Sequence, residues 1–188
     1  METTETVTCE IDCNLLATFE KYNFPKDFDC GLPLINEYFN GRLRRALKSE
    51  NVKGIGAIVG HDLLGFCTLT VSEITREKAK AGLSKATNLT KQIPVVRLVM
   101  LGVDKKLQKC GVGLALMRNA LIETARLHMQ IPIKGLYLDA APSAVKFYSR
   151  LGFKVLGDPD EHQSTPMLLG ICVIMEAYND CLENADEL

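Results

Sequence analysis

At 188 residues, 47% hydrophobic and with a formal net charge of −1, the chain reads as one ordinary globular domain with a sizeable core. Its longest apolar stretches, such as 167–175, fall far short of the roughly 20 residues that cross a bilayer. The acidic opening METTETVTCEID also lacks the basic-then-apolar layout of a secretory signal. Seven scattered cysteines (Cys9, Cys13, Cys30, Cys67, Cys110, Cys172, Cys181) point to reduced thiols and a cytoplasmic setting. The three distant histidines and the absence of any CxxC pair argue against a metal site.

In chain order, residues 1–27 form an N-terminal segment expected to hold a first strand. Residues 34–49 carry apolar side chains at Leu34, Ile35, Tyr38, Phe39, Leu43 and Leu47, the spacing of a helix. The β-branched-rich runs 55–59 and 65–71, around Gly60-His61-Asp62, predict a hairpin. The polar, alanine-rich stretch 78–90 is a loop or a short surface helix. Residues 95–103 are nearly all apolar and read as a strand buried on both faces. A helix over 114–129 follows, with an apolar stripe of Leu114, Met117, Leu121, Ala125 and His128 or Met129. A strand over 135–140 leads to a helix over 142–151 with Pro142 near its start and Gly152 at its end. Strands over 153–156 and 168–175 precede a C-terminal acidic helix or tail over 177–188. Helices interleaved with strands define an α/β (α+β) domain around a mixed, mostly antiparallel sheet.

Charge is unevenly spread. Basic residues predominate between Arg42 and Arg97, whereas beyond Lys154 there is no Lys or Arg and acidic residues accumulate. One face could therefore meet a polyanion and another repel it, or the pattern is a solvated helix face plus an acidic tail.

The strongest chemical signal is Gln108-Lys109-Cys110-Gly111-Val112-Gly113, of the form Q-x-x-G-x-G, between the strand over 95–103 and the next helix. Amides at a helix mouth carry partial positive charge, and glycines remove the Cβ atoms that would block a phosphate. The stretch is not a Walker loop, because no Gly-Lys-Ser/Thr follows, and it lacks the third glycine of a dinucleotide fingerprint. By itself it is an anion site or simply a tight turn.

A second motif follows at Phe147-Tyr148-Ser149-Arg150-Leu151-Gly152-Phe153. The pair, with a strand between, resembles the GNAT superfamily of acyl-CoA N-acyltransferases. That resemblance implies coenzyme A binding at Lys109, Cys110, Gly111, Val112, Gly113 and Leu114. It also implies backbone pairing of Leu101 and Val103 with the pantetheine arm, and places Tyr148 near the thioester as general acid. Phe28-Asp29-Cys30-Gly31 followed by Leu34, Asn36 and Phe39, Gly65-Phe66 with Thr68-Leu69, and Leu101-Gly102-Val103-Asp104 narrow the resemblance to the TacT-like acetyltransferase toxins. The likeness spans residues 28–176, the expected acetyltransferase domain. It implies acetyl-CoA as donor, the α-amino group of aminoacyl-tRNA as acceptor, a ribbon-helix-helix antitoxin and a homodimer, without a membrane. Arg42, Arg45, Arg76, Lys85 and Arg97, with Arg44, Lys53 and Lys78 beside them, are the candidate tRNA phosphate contacts.

Some residues depart from that pattern. Val99 and Met100 stand where the toxins commonly have glycine and arginine, and Ala141-Pro142-Ser143 where many acyltransferases have an asparagine. Glu73 is a weak candidate base, and an α-amino group with a pKa of about 8 needs little help. Two alternatives stand beside the toxin reading: acetylation of a small amine or protein N-terminus, and an acyl-CoA-binding module without catalysis.

Overall fold

The computed structural model describes residues 8–83 and 90–186. Its strands are β1 (Cys9–Asp12), β2 (Lys53–Val59), β3 (Asp62–Thr75), β4 (Gln92–Val103), β5 (Gly135–Ala140), β6 (Lys154–Val155) and β7 (Thr165–Gly170). The helices are α1 (Leu15–Thr18), α2 (Pro33–Tyr38), α3 (Arg44–Lys48), α4 (Arg76–Gly82), α5 (Val112–Gln130), α6 (Val145–Arg150) and α7 (Ile171–Asp186). Seven strands make one sheet in the order β1-β2-β3-β4-β5-β7-β6. Pairing is antiparallel for β1/β2, β2/β3, β5/β7 and β6/β7 and parallel for β4/β5. The mostly antiparallel α/β class expected from the sequence is the one observed. No helix among the described residues is long and apolar enough to cross a membrane.

The chain divides into two compact units, residues up to 69 with 100–120, and 70–99 with 121 onward. In the first, the hairpin β2–β3 turns at Gly60, whose φ of 60° suits glycine. The helix over 34–49 is a composite, α2 and α3 joined by a wide π turn at Phe39–Leu43. Tyr38, Phe39, Leu43 and Leu47 are buried as the periodicity requires, while Leu34 is exposed. Gly54 and Gly56 let α3 and α1 lie against β2: a Cβ at Gly54 would come within 2.8 Å of Leu47 Cδ2, and one at Gly56 within 2.8 Å of both Leu15 Cδ2 and Leu63 Cδ1. Phe28 stacks on Phe39 at 3.9 Å between ring centroids, and both contact Phe66, so the segment before α2 is anchored by aromatic packing. Gly102 of β4 lies beneath the same cluster, where a Cβ would sit 2.7 Å from Ile35 Cγ2.

The buried face of α5 is rotated from the predicted stripe. Val112, Leu116, Met117, Ala120 and Ala125 are buried, whereas Leu114 and Met129 are each more than half exposed. Leu114 and Met117 are three residues apart, so spacing alone admits either of two neighbouring stripes.

The second unit packs Ile74, Ala79, Ile93, Val95, Tyr137, Leu156 and Leu168 together. Thr75 caps α4, its Oγ1 accepting from the Lys78 amide at 3.4 Å. Parallel pairing of β4 with β5 in this unit covers Val96↔Leu136 and Arg97↔Tyr137, while β5 runs on to Ala140 against β7. The strand predicted over 168–175 is in fact two elements: β7 ends at Gly170 and α7 begins at Ile171. Met167, Leu168 and Leu169 are buried as strand residues, and Ile171 and Ile174 as one face of a helix, so one apolar run conceals a change of period. Similarly, α6 starts at Val145 rather than Pro142, because residues 141–144 form a turn closed by Ala144 N–H donating to Ala141 O at 2.8 Å.

Candidate active site

Where β4 ends, the first unit builds a turn from its own hydrogen bonds. Asp104 is 2% exposed, and its carboxylate accepts from the Lys106 amide at 2.9 Å and from the Asp29 amide at 3.0 Å. The Asp104 amide donates to Leu64 O at 2.8 Å, tying the turn to β3. Gln108, although exposed, turns its side-chain amide onto the backbone: its Nε2 donates to Val103 O and to Cys30 O, each at 2.9 Å. The expected pantetheine-pairing residue Val103 thus already has its carbonyl engaged by Gln108.

The chain then takes two left-handed steps, Lys109 with φ 63° and Gly111 with φ 79°, before α5 begins at Val112. Only glycine adopts that conformation without steric cost. The Ala115 amide donates to Gly111 O at 3.0 Å, so the helix is closed from Gly111 onward. The amides of Val112, Gly113 and Leu114 lie in the first turn, where no intrahelical acceptor exists for them. A Cβ at Gly111 would meet no atom within 4 Å, and one at Gly113 only Val103 Cγ2 at 3.9 Å. Space beside Gly111 and Gly113 is open, and the residues present fit a diphosphate held by backbone N–H groups and the α5 dipole. Cys110 is exposed, and its thiol leans on Gln108 O at 3.5 Å.

The residue that organises this turn was quoted in the sequence motif but given no role there. Asp29 accepts from the Gly31 amide and from Asn36 Nδ2 at 2.8 Å each through Oδ1, and pairs with Lys105 Nζ at 2.5 Å through Oδ2. Its backbone carbonyl accepts from the Lys105 amide at 2.9 Å. The Lys105 ammonium, then Asn36 and the Gly31 amide, hold the Asp29 carboxyl down at about 2. A carboxylate four positions before α2 is legible as a turn residue, but contacts about 75 residues along the chain are not.

In the second unit Tyr148 is buried, its ring edge-on to Phe147 at 5.1 Å and to Phe153 at 5.6 Å. Gly152, φ 91°, follows α6; the Phe153 amide donates to Tyr148 O and the Gly152 amide to Ser149 O, both at 3.1 Å. This is a Schellman termination, with the tyrosine and the second phenylalanine as its apolar pair. The spacing of F-Y-x-x-x-G-F is therefore a helix-end geometry that fixes the Tyr148 ring.

The candidate phosphate-binding residues are dispersed. Arg42 and Arg45 are exposed on the composite helix, while their neighbour Arg44 stacks over Phe24 at 4.5 Å. Arg76 is 4.0 Å from Glu77. Arg97 is exposed rather than buried, but pairs with Asp139 at 2.8 Å. Lys85 lies outside the described residues. Tyr137 donates to the other oxygen of Asp139 at 2.5 Å, and burial followed by that bond pushes its phenol well above the usual range. Asp139 lines a cleft of about 440 Å³ with Glu77, Lys78, Asp158 and Asp160. Glu73 is exposed on β3.

A strand that ends in a left-handed turn at a helix mouth, within a sheet of this order, makes the chain a layered α/β domain. Residues 74–168 match the acetyltransferase (GNAT) domain family. Among solved structures, a bacterial toxin is 32% identical, with 92% of this chain and 96% of that one covered and a TM-score of 0.84. A tyrosine-to-phenylalanine mutant of KacT is 26% identical, covering 90% and 98%, with a TM-score of 0.76. AtaT complexed with acetyl-methionyl-tRNAfMet shares the fold at 23% identity, covering 91% and 99%, with a TM-score of 0.75. The chain belongs to the GNAT acetyltransferase family.

Proposed function

We propose that this acetyltransferase moves the acetyl group of acetyl-CoA to the α-amino group of aminoacyl-tRNA and so acts as a translation-blocking toxin. The observation that carries the reading is the left-handed turn at Lys109 and Gly111 before α5, with clear space beside Gly111 and Gly113. Lys109, Cys110, Gly111, Val112, Gly113 and Leu114 hold the coenzyme diphosphate, and the backbone of Leu101 and Val103 meets the pantetheine arm. Acetyl-CoA supplies the acetyl group as an activated thioester. Tyr148 holds a proton on its phenol oxygen for the departing sulfur, a role suited to a group with an ordinary pKa of about 10. No strong base is needed, since an α-amino group with a pKa of about 8 is substantially neutral near pH 7–8. Arg42, Arg45, Arg76, Lys85 and Arg97 are the proposed contacts to the acceptor-stem phosphates.

The toxin assignment is supported by 32% identity to a bacterial toxin over nearly the whole of both chains. It draws further on the fold shared with AtaT, solved bound to acetyl-CoA and the C-terminus of the antitoxin AtaR, and with KacT of the KacTA–DNA complex. By that analogy the partner is a ribbon-helix-helix antitoxin, the enzyme is a homodimer and its place of action is the cytoplasm. Mass spectrometry of bulk charged tRNA incubated with the protein and acetyl-CoA tests the reading. An added acetyl group on the aminoacyl moiety is expected. Acetylation confined to free amines or protein N-termini would transfer the protein to a metabolic role, and binding without any transfer would make it a sensor of acyl-CoA.

A further inference from the structure

We propose that Asp29 is a positioning residue for the acyl donor: it sets the backbone of the diphosphate turn from a loop far away in sequence. The inference rests on the donor reading of that turn. Asp29 bonds through every polar group it has. Its amide donates to the buried Asp104 carboxylate, its carbonyl accepts from the Lys105 amide, and its side chain holds Gly31, Asn36 and Lys105. Asn36 closes the loop by accepting from the Cys30 amide at 2.9 Å, and Cys30 in turn offers its carbonyl to Gln108. Gln108 and Asp104 bracket the 3-10 turn Lys105–Leu107, and the left-handed Lys109 follows at once. Phe28, stacked on Phe39, fixes the near end of the loop in the core. The loop from Phe28 to Asn36 thus forms a clamp across the start of the diphosphate turn. The carboxylate is paired with Lys105 and with the Gly31 amide, so the clamp presents no unpaired negative charge to the ligand.

Two physical accounts of Asp29 predict opposite signs. If it mattered only as a charge, removing it would free Lys105 and leave the turn more positive, so the anionic donor would bind more tightly. If it positions the turn, removing it relaxes the left-handed backbone and the donor binds more weakly. We expect Asp29→Ala to raise the calorimetric Kd for acetyl-CoA about tenfold, and Asp29→Asn, which keeps an acceptor for Gly31 and Asn36, to raise it less than about threefold. Asp27→Ala, which breaks an ion pair to Lys106 just before that loop, should leave Kd within about twofold, since both side chains are largely exposed. Hydrogen exchange should quicken at the amides of 105–114 in Asp29→Ala and stay unchanged in β2. If Asp29→Ala fails to fold, Asn36→Ala tests the same clamp and should weaken the donor severalfold. Equal or tighter donor binding by Asp29→Ala or Asn36→Ala, beside a wild-type chain that binds, overturns the clamp and leaves the donor reading intact. A wild-type chain that binds no acetyl-CoA overturns both.

Discussion

The Phe153 amide donates to the Tyr148 carbonyl at 3.1 Å while the two rings meet edge to face, so the end of α6 and the orientation of the tyrosine are one structural fact. A phenol held this way keeps its place when its oxygen is removed, because the ring carries the packing. Tyr148→Phe is therefore expected to lower acetyl transfer about 10²–10⁴-fold, with donor affinity and melting temperature close to wild type. Steady-state kinetics beside calorimetry and thermal unfolding would measure all three. Retention of full activity would remove Tyr148 from the chemistry. Phe153→Ala, by contrast, takes a buried ring from that pair and is expected to cost about 3 kcal/mol of stability.

Gly111 and Lys109 share a left-handed backbone but should respond oppositely to substitution. Gly111→Ala keeps open space above it, so its effect is conformational: about 1 kcal/mol of strain, relieved by flattening the turn and turning amides away from the donor. Donor affinity is expected to fall severalfold. Lys109→Gly relieves strain of the same kind at φ 63° and should leave stability unchanged or raise it by up to about 1 kcal/mol. Urea unfolding and calorimetry on the pair decide the matter; equal effects of the two substitutions would remove backbone conformation as the cause.

Much of this was legible in advance because the signals are local. The hairpin at Gly60, the strand over 135–140 and the glycine turn each announce themselves within a dozen residues. The helix over 34–49 survived its π turn because Phe39, Leu43 and Leu47 keep a spacing of four across it. The boundary at Gly170 was hidden because strand and helix meet inside one apolar run, and α5 was read one stripe off because two faces satisfy the same spacing. Within the site, Gly111 and Tyr148 declare themselves by motif, and the Schellman end explains why that motif has its spacing. The pairing of Asp29 with Asp104, of Gln108 with Cys30 and of Arg97 with Asp139 was not legible, since each joins residues brought together only by the sheet.

Gly56 illustrates how that sheet limits its own sequence. It pairs with Phe66 in the middle of β2, where glycine is intrinsically weak, yet a Cβ there would come within 2.8 Å of Leu15 Cδ2 and Leu63 Cδ1. Both are fully buried leucines with little room to move. Gly56→Ala is expected to destabilise by about 1–3 kcal/mol despite its better strand propensity. Gly60→Ala, with open space but a φ of 60°, should cost about 1 kcal/mol by strain alone. Chemical denaturation of both variants checks the order; a stabilising Gly56→Ala would mean that α1 yields readily.

The Asp29 clamp also predicts a pH dependence. Its carboxyl is held at about 2 in the folded chain, below the ordinary 3.8, so the folded state favours the ionised form. The stabilisation is complete above about pH 4 and is lost as pH falls from there toward 2. Lys105, raised above its ordinary value by the same carboxylate, keeps its share at neutral pH and gives it up as pH rises past the lysine range. Asp29→Asn cannot titrate, so the difference in urea midpoint between wild type and this variant isolates the pair. That difference should be flat from about pH 5 to 9, shrink between about pH 4 and 2, and shrink again at strongly alkaline pH. Asp12 and Asp27, also lowered by their partners, titrate in both proteins and cancel from the comparison. A gap that stayed constant down to pH 2 would place the Asp29 carboxyl at its ordinary value and remove the Lys105 contact from the clamp.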